Sequence, residues 1–251
     1  LYISFGEQSL RDGVDVTPAE LYRRLRSAPT LPHTSQPSPG DFLTLYRSLS
    51  ETADAIVSIH ISGGLSGTVR SAESARSALM EERQQQGRPA PAIHIIDSRS
   101  VSMGLGLAVL AAARAAMAGK PAEDVMQAAQ AVIAESHILF TVETLEYLHR
   151  GGRIGGAQAL LGAVLDIKPI LYINNGRIDV LEKVRTRQRA VARIADIATQ
   201  PAFPRQGLLD GCAVVGQHAT EHGGVTAIAD DRFKEPDVGA NRLERGGRVE
   251  H

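Results

Sequence analysis

Ser62-Gly63-Gly64-Leu65-Ser66-Gly67-Thr68 is the segment of this 251-residue sequence richest in groups that could do chemistry. It follows the β-branched run Ala55–Ile61 and precedes a helical stretch from about Val69 to Glu82, so it forms a strand-to-helix turn. Glycines let the backbone turn tightly there, and successive N–H groups at a helix start favour an anionic ligand. The hydroxyls of Ser62, Ser66 and Thr68 add donors. A βα turn also uses glycine and serine for purely structural reasons, so the segment alone admits both readings. Specific nucleotide motifs fail. No Walker lysine is present, and Gly104-Leu105-Gly106 has Val109 where a dinucleotide fingerprint needs glycine. The hydrolase elbow G-x-S-x-G fails because Thr68 stands in its last place. A hydrolase or acyltransferase using Ser66 remains the alternative, with Asp97 and several histidines as formal triad partners.

Three further clusters admit a structural and a chemical reading each. Thr34-Ser35-Gln36-Pro37-Ser38-Pro39-Gly40 reads as a loop that starts a helix. Ser38 and Pro39 serve as N-cap and first helical residue, which leaves Thr34 and Ser35 without a structural reason. His218-Ala219-Thr220-Glu221-His222 has the spacing of a zinc-binding helix, yet Gly223-Gly224 stops a helix at once and no acidic ligand partner is identifiable downstream. Arg185, Arg187, Arg189 and Arg193 describe either a solvated helix face or a docking surface for an acidic partner.

These segments hang on an orderly framework. Helices start at Thr17-Pro18-Ala19-Glu20 and Ser38-Pro39-Gly40-Asp41, each with hydroxyl, proline and acid in capping positions. Strand 55–61, helix 69–82, strand 92–96 and helix 104–117 then alternate, the order of a parallel sheet with helices on its faces. A further helix covers 122–135. From about residue 137 the pattern changes to a strand at 138–142, glycine-rich Gly151–Gly156, and two strands around Asn174-Asn175-Gly176, a strong hairpin signal. A helix over 188–199 and a strand over 212–216 follow. The prediction is an α/β chain of two domains, 1–137 with a parallel sheet and 138–251 of α+β type.

Composition narrows the partners. Lys and Arg total 27 against 28 Asp and Glu, giving a formal charge of −1, unlike a nucleic-acid or membrane-surface binder. Aromatic residues are 4% with no Trp, so stacking surfaces for bases or sugars are poorly supplied. The lone Cys212, in an apolar run, reads as a buried thiol and excludes an internal disulfide framework. No run approaches the ~20 apolar residues of a membrane span. These features point to a soluble, cytoplasmic protein with no nucleic-acid partner and no stable membrane insertion.

Taken together, Thr34–Gly40, Ser62–Thr68 and Leu145-Glu146-Tyr147-Leu148-His149-Arg150-Gly151-Gly152-Arg153-Ile154 resemble the DegV family of bacterial fatty-acid-binding proteins. Asp97-Ser98 with Ser102–Gly106, and Ile167-Lys168-Pro169-Ile170-Leu171 with Lys183–Arg187, support the match. The resemblance, over about residues 1–200, implies a DegV-like two-domain fold and one long-chain fatty acid, such as palmitate, stearate or oleate, in a buried tunnel. It implies that Thr34, Ser35, Ser62, Gly63 and Ser66 hold the carboxylate. It further implies no cofactor and no catalysis by the chain alone. It implies too that the acyl carboxylate is presented to a separate ATP-binding fatty acid kinase subunit, contacted through Arg185 and Arg187, and that the acyl phosphate feeds phospholipid synthesis. The family pattern also includes an upstream strand with a Thr-Asp-Ser-Thr loop and a late glycine-rich motif with a histidine, neither of which this sequence reproduces. Energetically the scheme is coherent. Burying about fifteen methylenes at about 0.8 kcal/mol each gives roughly 12 kcal/mol before binding costs. The head-group donors then need only set register.

Overall fold

The computed structural model describes residues 1–28, 30–162 and 167–199, together with the strands Cys212–Gly216 and Thr226–Ala229. At the N-terminal end, strands Tyr2–Phe5 (β1) and Gln8–Arg11 (β2) form a hairpin. Helix Pro18–Ser27 (α1) begins at Thr17, whose hydroxyl accepts from the Glu20 N–H as its capping pattern predicts. His33–Ser35 (β3) then pairs along the other edge of β1, Thr34 opposite Ile3 and Ser35 opposite Tyr2. This corrects the loop expected at Thr34 and Ser35: β1 offers an unpaired edge, and ladder hydrogen bonds override the turn preference of a Ser- and Pro-rich segment. Ile3, Leu10 and Val16 form a small apolar core beneath this sheet, joined by Phe5 and Leu21.

Helix Pro39–Leu49 (α2) carries the full capping box, with Ser38 and Asp41 exchanging side-chain-to-backbone bonds. The Tyr2 hydroxyl also donates to Asp41, 3.2 Å, and so ties β1 to the start of α2. Strand Ala55–His60 (β4), helix Thr68–Gln85 (α3) and strand Ala92–Asp97 (β5) form a βαβ unit whose strands are parallel, in register from Ala55–Ala92 to His60–Asp97. Ile56 and Ile93 face α2 and α3, meeting Tyr46, Ala72, Ala75 and Leu79. Val57, Ile59 and Ile96 face the opposite way, onto helices Ser102–Met117 (α4) and Ala122–Glu135 (α5). Helices therefore cover both faces of the parallel pair, as its apolar strands require. The alanines at 108, 112 and 129 let α4 and α5 approach closely.

His137–Thr141 (β6) begins a second sheet. Helix Glu146–Arg150 (α6) and a 3₁₀ helix at Gly155–Leu160 precede the hairpin of Lys168–Asn174 (β7) and Arg177–Val184 (β8). Its turn residues Asn175 and Gly176 have φ of 47° and 79°, the left-handed pair that a two-residue hairpin demands. Helix Arg187–Thr199 (α7) lays Ala190, Ile194 and Ile197 on Leu139 and Ile170. Cys212–Gly216 (β9) runs parallel to β6, and Thr226–Ala229 (β10) antiparallel to β9, giving the order β10-β9-β6-β7-β8. The strand at 212–216 is expected from sequence and β10 is not. The His218–His222 pattern and the charged stretch from Asp230 to His251 lie outside the described residues. Among the described residues no helix is long and apolar enough to cross a membrane.

Candidate functional site

The loop between β4 and α3 is held on every side. At its start Ser62 is fully buried; its N–H donates to the Ser100 carbonyl, 2.9 Å, while the Ser98 N–H donates to the His60 carbonyl, 3.0 Å. These bonds fasten the loop to the segment following β5. Asp97 reinforces the join, one carboxylate oxygen accepting from the N–H groups of Gly63, 3.1 Å, and Arg99, 2.8 Å. Arg99 is non-glycine yet adopts a φ of 47°, an uncommon conformation that surrounding bonds must sustain.

The second half of the molecule grips the same loop. The Ser62 hydroxyl donates to the carbonyl of Gly176 at the β7–β8 hairpin tip, 2.6 Å, and accepts from the Gly64 N–H, 3.1 Å. Leu65 packs into the apolar cluster of Ile154, Ala157, Leu171 and Ile178. The Arg153 guanidinium donates to the Leu65 carbonyl, 3.1 Å, so the glycine-rich segment after α6 also reaches the loop. Ser66 bonds with the Thr68 hydroxyl, 2.8 Å. Among the described residues Ser66 has no hydrogen bond to a histidine or a carboxylate, and a serine nucleophile needs such a base.

The loop glycines act differently from the sequence expectation. None of Gly63, Gly64 and Gly67 takes a positive φ. They allow close approach instead. A Cβ would lie 2.9 Å from the Asp97 carboxylate at 63, 2.7 Å from the Gly176 carbonyl at 64, and 2.5 Å from the Gln36 amide at 67. The last contact brings the Thr34–Gly40 segment against the Ser62–Thr68 loop. Thr34 and Ser35 themselves are exposed on β3, and among the described residues their hydroxyls make no hydrogen bond. The backbone donors of the loop are largely committed: Gly63 to Asp97, Gly64 to Ser62, and both Leu65 and Ser66 to the Ser62 carbonyl. Available donors for a ligand are therefore hydroxyls more than the row of free N–H groups that the turn suggests.

The sequence singles out Ser62 and Ser66 as candidates but assigns no role at the loop to Gly176 or Gln36. The Asn-Gly turn signal showed that a hairpin exists, and nothing local showed that its tip closes over residue 62.

The arginine segment is partly committed. Arg187 pairs with Glu143, 3.1 Å, and Arg193 with Glu182, 2.7 Å, which holds the Glu182 carboxyl below its usual range. Arg185 and Arg189 are exposed. Beside Glu143 opens a cavity of about 360 Å³, within the range of small-molecule sites. Val142, Leu145, Leu160 and Ile167 supply apolar wall, and Lys168 bonds to the Glu143 carbonyl at 2.8 Å. Val142 and Leu145 also belong to the cluster that receives Leu65, so one layer of apolar side chains connects cavity and loop.

These features define the class: an α/β protein with a helix-flanked parallel pair, joined through a serine–glycine loop to a hairpin-bearing second sheet. A model described as "Uncharacterised protein, DegV family" matches residues 1–230, and the chain belongs to the DegV family. A DegV domain-containing protein of Deinococcus radiodurans is 40% identical over 196 residues, 78% of this chain and 66% of that one. The chain thus spans about two thirds of the length of the curated relatives it matches. A DegV family protein of Thermus thermophilus, described for its fatty acid binding, is similar with a TM-score of 0.66 and 37% identity over 79% of this chain and 69% of that one. A stearic-acid-binding protein of Eubacterium ventriosum is similar with a TM-score of 0.68 and 32% identity, covering 77% and 66%.

Proposed function

We propose that the chain binds one long-chain fatty acid and presents its carboxylate to a separate ATP-binding kinase subunit. The observation that carries this reading is the convergence of the Gln36, Arg153 and Gly176 segments on the Ser62–Thr68 loop, in a chain whose similar structures include fatty-acid-binding proteins. Thr34 and Ser35 supply free hydroxyls to the head group, Ser62 and Ser66 supply the loop side, and Gly63 supplies room. The apolar layer around Leu65, leading through Val142 and Leu145 to the cavity, offers the tail a path. On this reading the tail provides affinity and the hydroxyls orient the head group. The chain catalyses nothing alone, works in the cytoplasm, and divides at residue 137 into two domains. Arg185, exposed, and Arg187, already held by Glu143, form the surface toward the kinase subunit.

The test compares oleate with its methyl ester on wild type, Thr34→Ala and Ser62→Ala. A hydrogen bond to a charged group is worth about 1.5–3 kcal/mol, so each variant should bind oleate about ten- to a hundredfold more weakly and the wild type should reject the ester. Equal affinity for acid and ester would refute carboxylate recognition.

A further inference from the structure

We infer that the Ser62–Gly176 hydrogen bond is a latch that must open for the head group to bind, making the β7–β8 hairpin tip the moving part of the site. The inference rests on the proposed function, because it concerns how a carboxylate reaches Ser62. A serine hydroxyl carries one proton. Here that proton goes to the Gly176 carbonyl at 2.6 Å, and the oxygen already accepts from Gly64. A carboxylate brings only acceptors, so Ser62 serves it only by withdrawing from Gly176. Ser62 is also completely covered, so the covering elements must part. Among the described residues, two elements outside its own loop bond to it. The segment after β5 is pinned by the Ser62–Ser100 and Ser98–His60 backbone bonds and by Asp97. The hairpin tip is held to Ser62 by the latch, and its neighbours Asn174, Asn175 and Arg177 are exposed. The tip is therefore the part that yields. Leu65, anchored in the Ile154 and Leu171 cluster, keeps the loop in place while it does so.

The same geometry supplies a variant that opens the latch while keeping the Ser62 hydroxyl in the chain. A Cβ at Gly176 would be driven into the Ser62 hydroxyl, and φ of 79° already disfavours a side chain there. Gly176→Ala should therefore bind palmitate about two- to tenfold more tightly than wild type, the fold-change of one ordinary hydrogen bond no longer broken. Ser62→Ala should bind it more weakly. Hydrogen exchange on the wild type provides a second readout that needs no variant: palmitate should speed amide exchange in the peptide spanning Asn174–Arg177, whereas bound ligand ordinarily slows it. Palmitate bound with tip exchange unchanged or slowed overturns the latch and leaves fatty acid binding intact. A folded Gly176→Ala that weakens binding as much as Ser62→Ala overturns it too. If wild type binds no palmitate, the functional reading fails and the latch with it.

Discussion

His60 ends β4 two residues before Ser62, with its ring enclosed. Its Nε2 lies 2.8 Å from the Ser58 hydroxyl, which accepts in turn from Tyr46, and Phe42 meets it edge-on. Burial holds its pKa below the ordinary histidine value, opposed by Asp97. A histidine with a depressed folded pKa contributes stability that is complete above its unfolded pKa of about 6.5 and lost as pH falls toward the folded value. Burial depresses His137 likewise. Melting temperature should therefore drop between pH 7 and pH 5, above the range where the paired carboxylates titrate, and His60→Gln should flatten part of that slope. An unchanged slope would remove His60 from the account. At this scale the sequence was informative where a residue's role is local and silent where it is not. Ser62 could be singled out from its turn. Its partner Gly176 lies 114 residues away, and Asp97 lies 34 from Gly63; no short pattern encodes which loops converge.

Elements with strong local chemistry were legible. The caps of α1 and α2, the apolar period-two strands β4 and β5, and the Asn-Gly hairpin all form as their residues dictate. The β1–β3 sheet was not foreseen, because its strands are only three or four residues long and exist through pairing across the intervening α1. That pairing makes Thr34 and Ser35 strand residues just ahead of Gln36, whose amide lies against Gly67 of the loop. Ser38, by contrast, is structural: its hydroxyl accepts from the Asp41 N–H at 3.2 Å, and Asp41 accepts from its N–H at 2.7 Å. Ser38→Ala should cost about 1 kcal/mol, lowering the melting temperature by roughly 2–4 °C. Ser35→Ala, which removes no bond, should leave it unchanged in parallel thermal melts.

For the whole molecule, near-neutral charge and scarce aromatics carry no signature of a nucleic-acid partner and choose no ligand. The structural observation behind the proposed ligand is the meeting of two halves at one loop, with apolar clusters on both faces of the second sheet, one of them receiving Leu65. The assembled chain brings the Ser62 and Ser66 hydroxyls, the Gly176 hairpin tip and an apolar layer together around the same few residues. The most direct measurement is organic extraction of the protein purified from bacterial cells, with mass spectrometry of the extract. About one long-chain fatty acid per chain is the predicted result. A folded protein that yields no stoichiometric acyl chain, and takes up none when oleate is supplied, would contradict fatty acid binding.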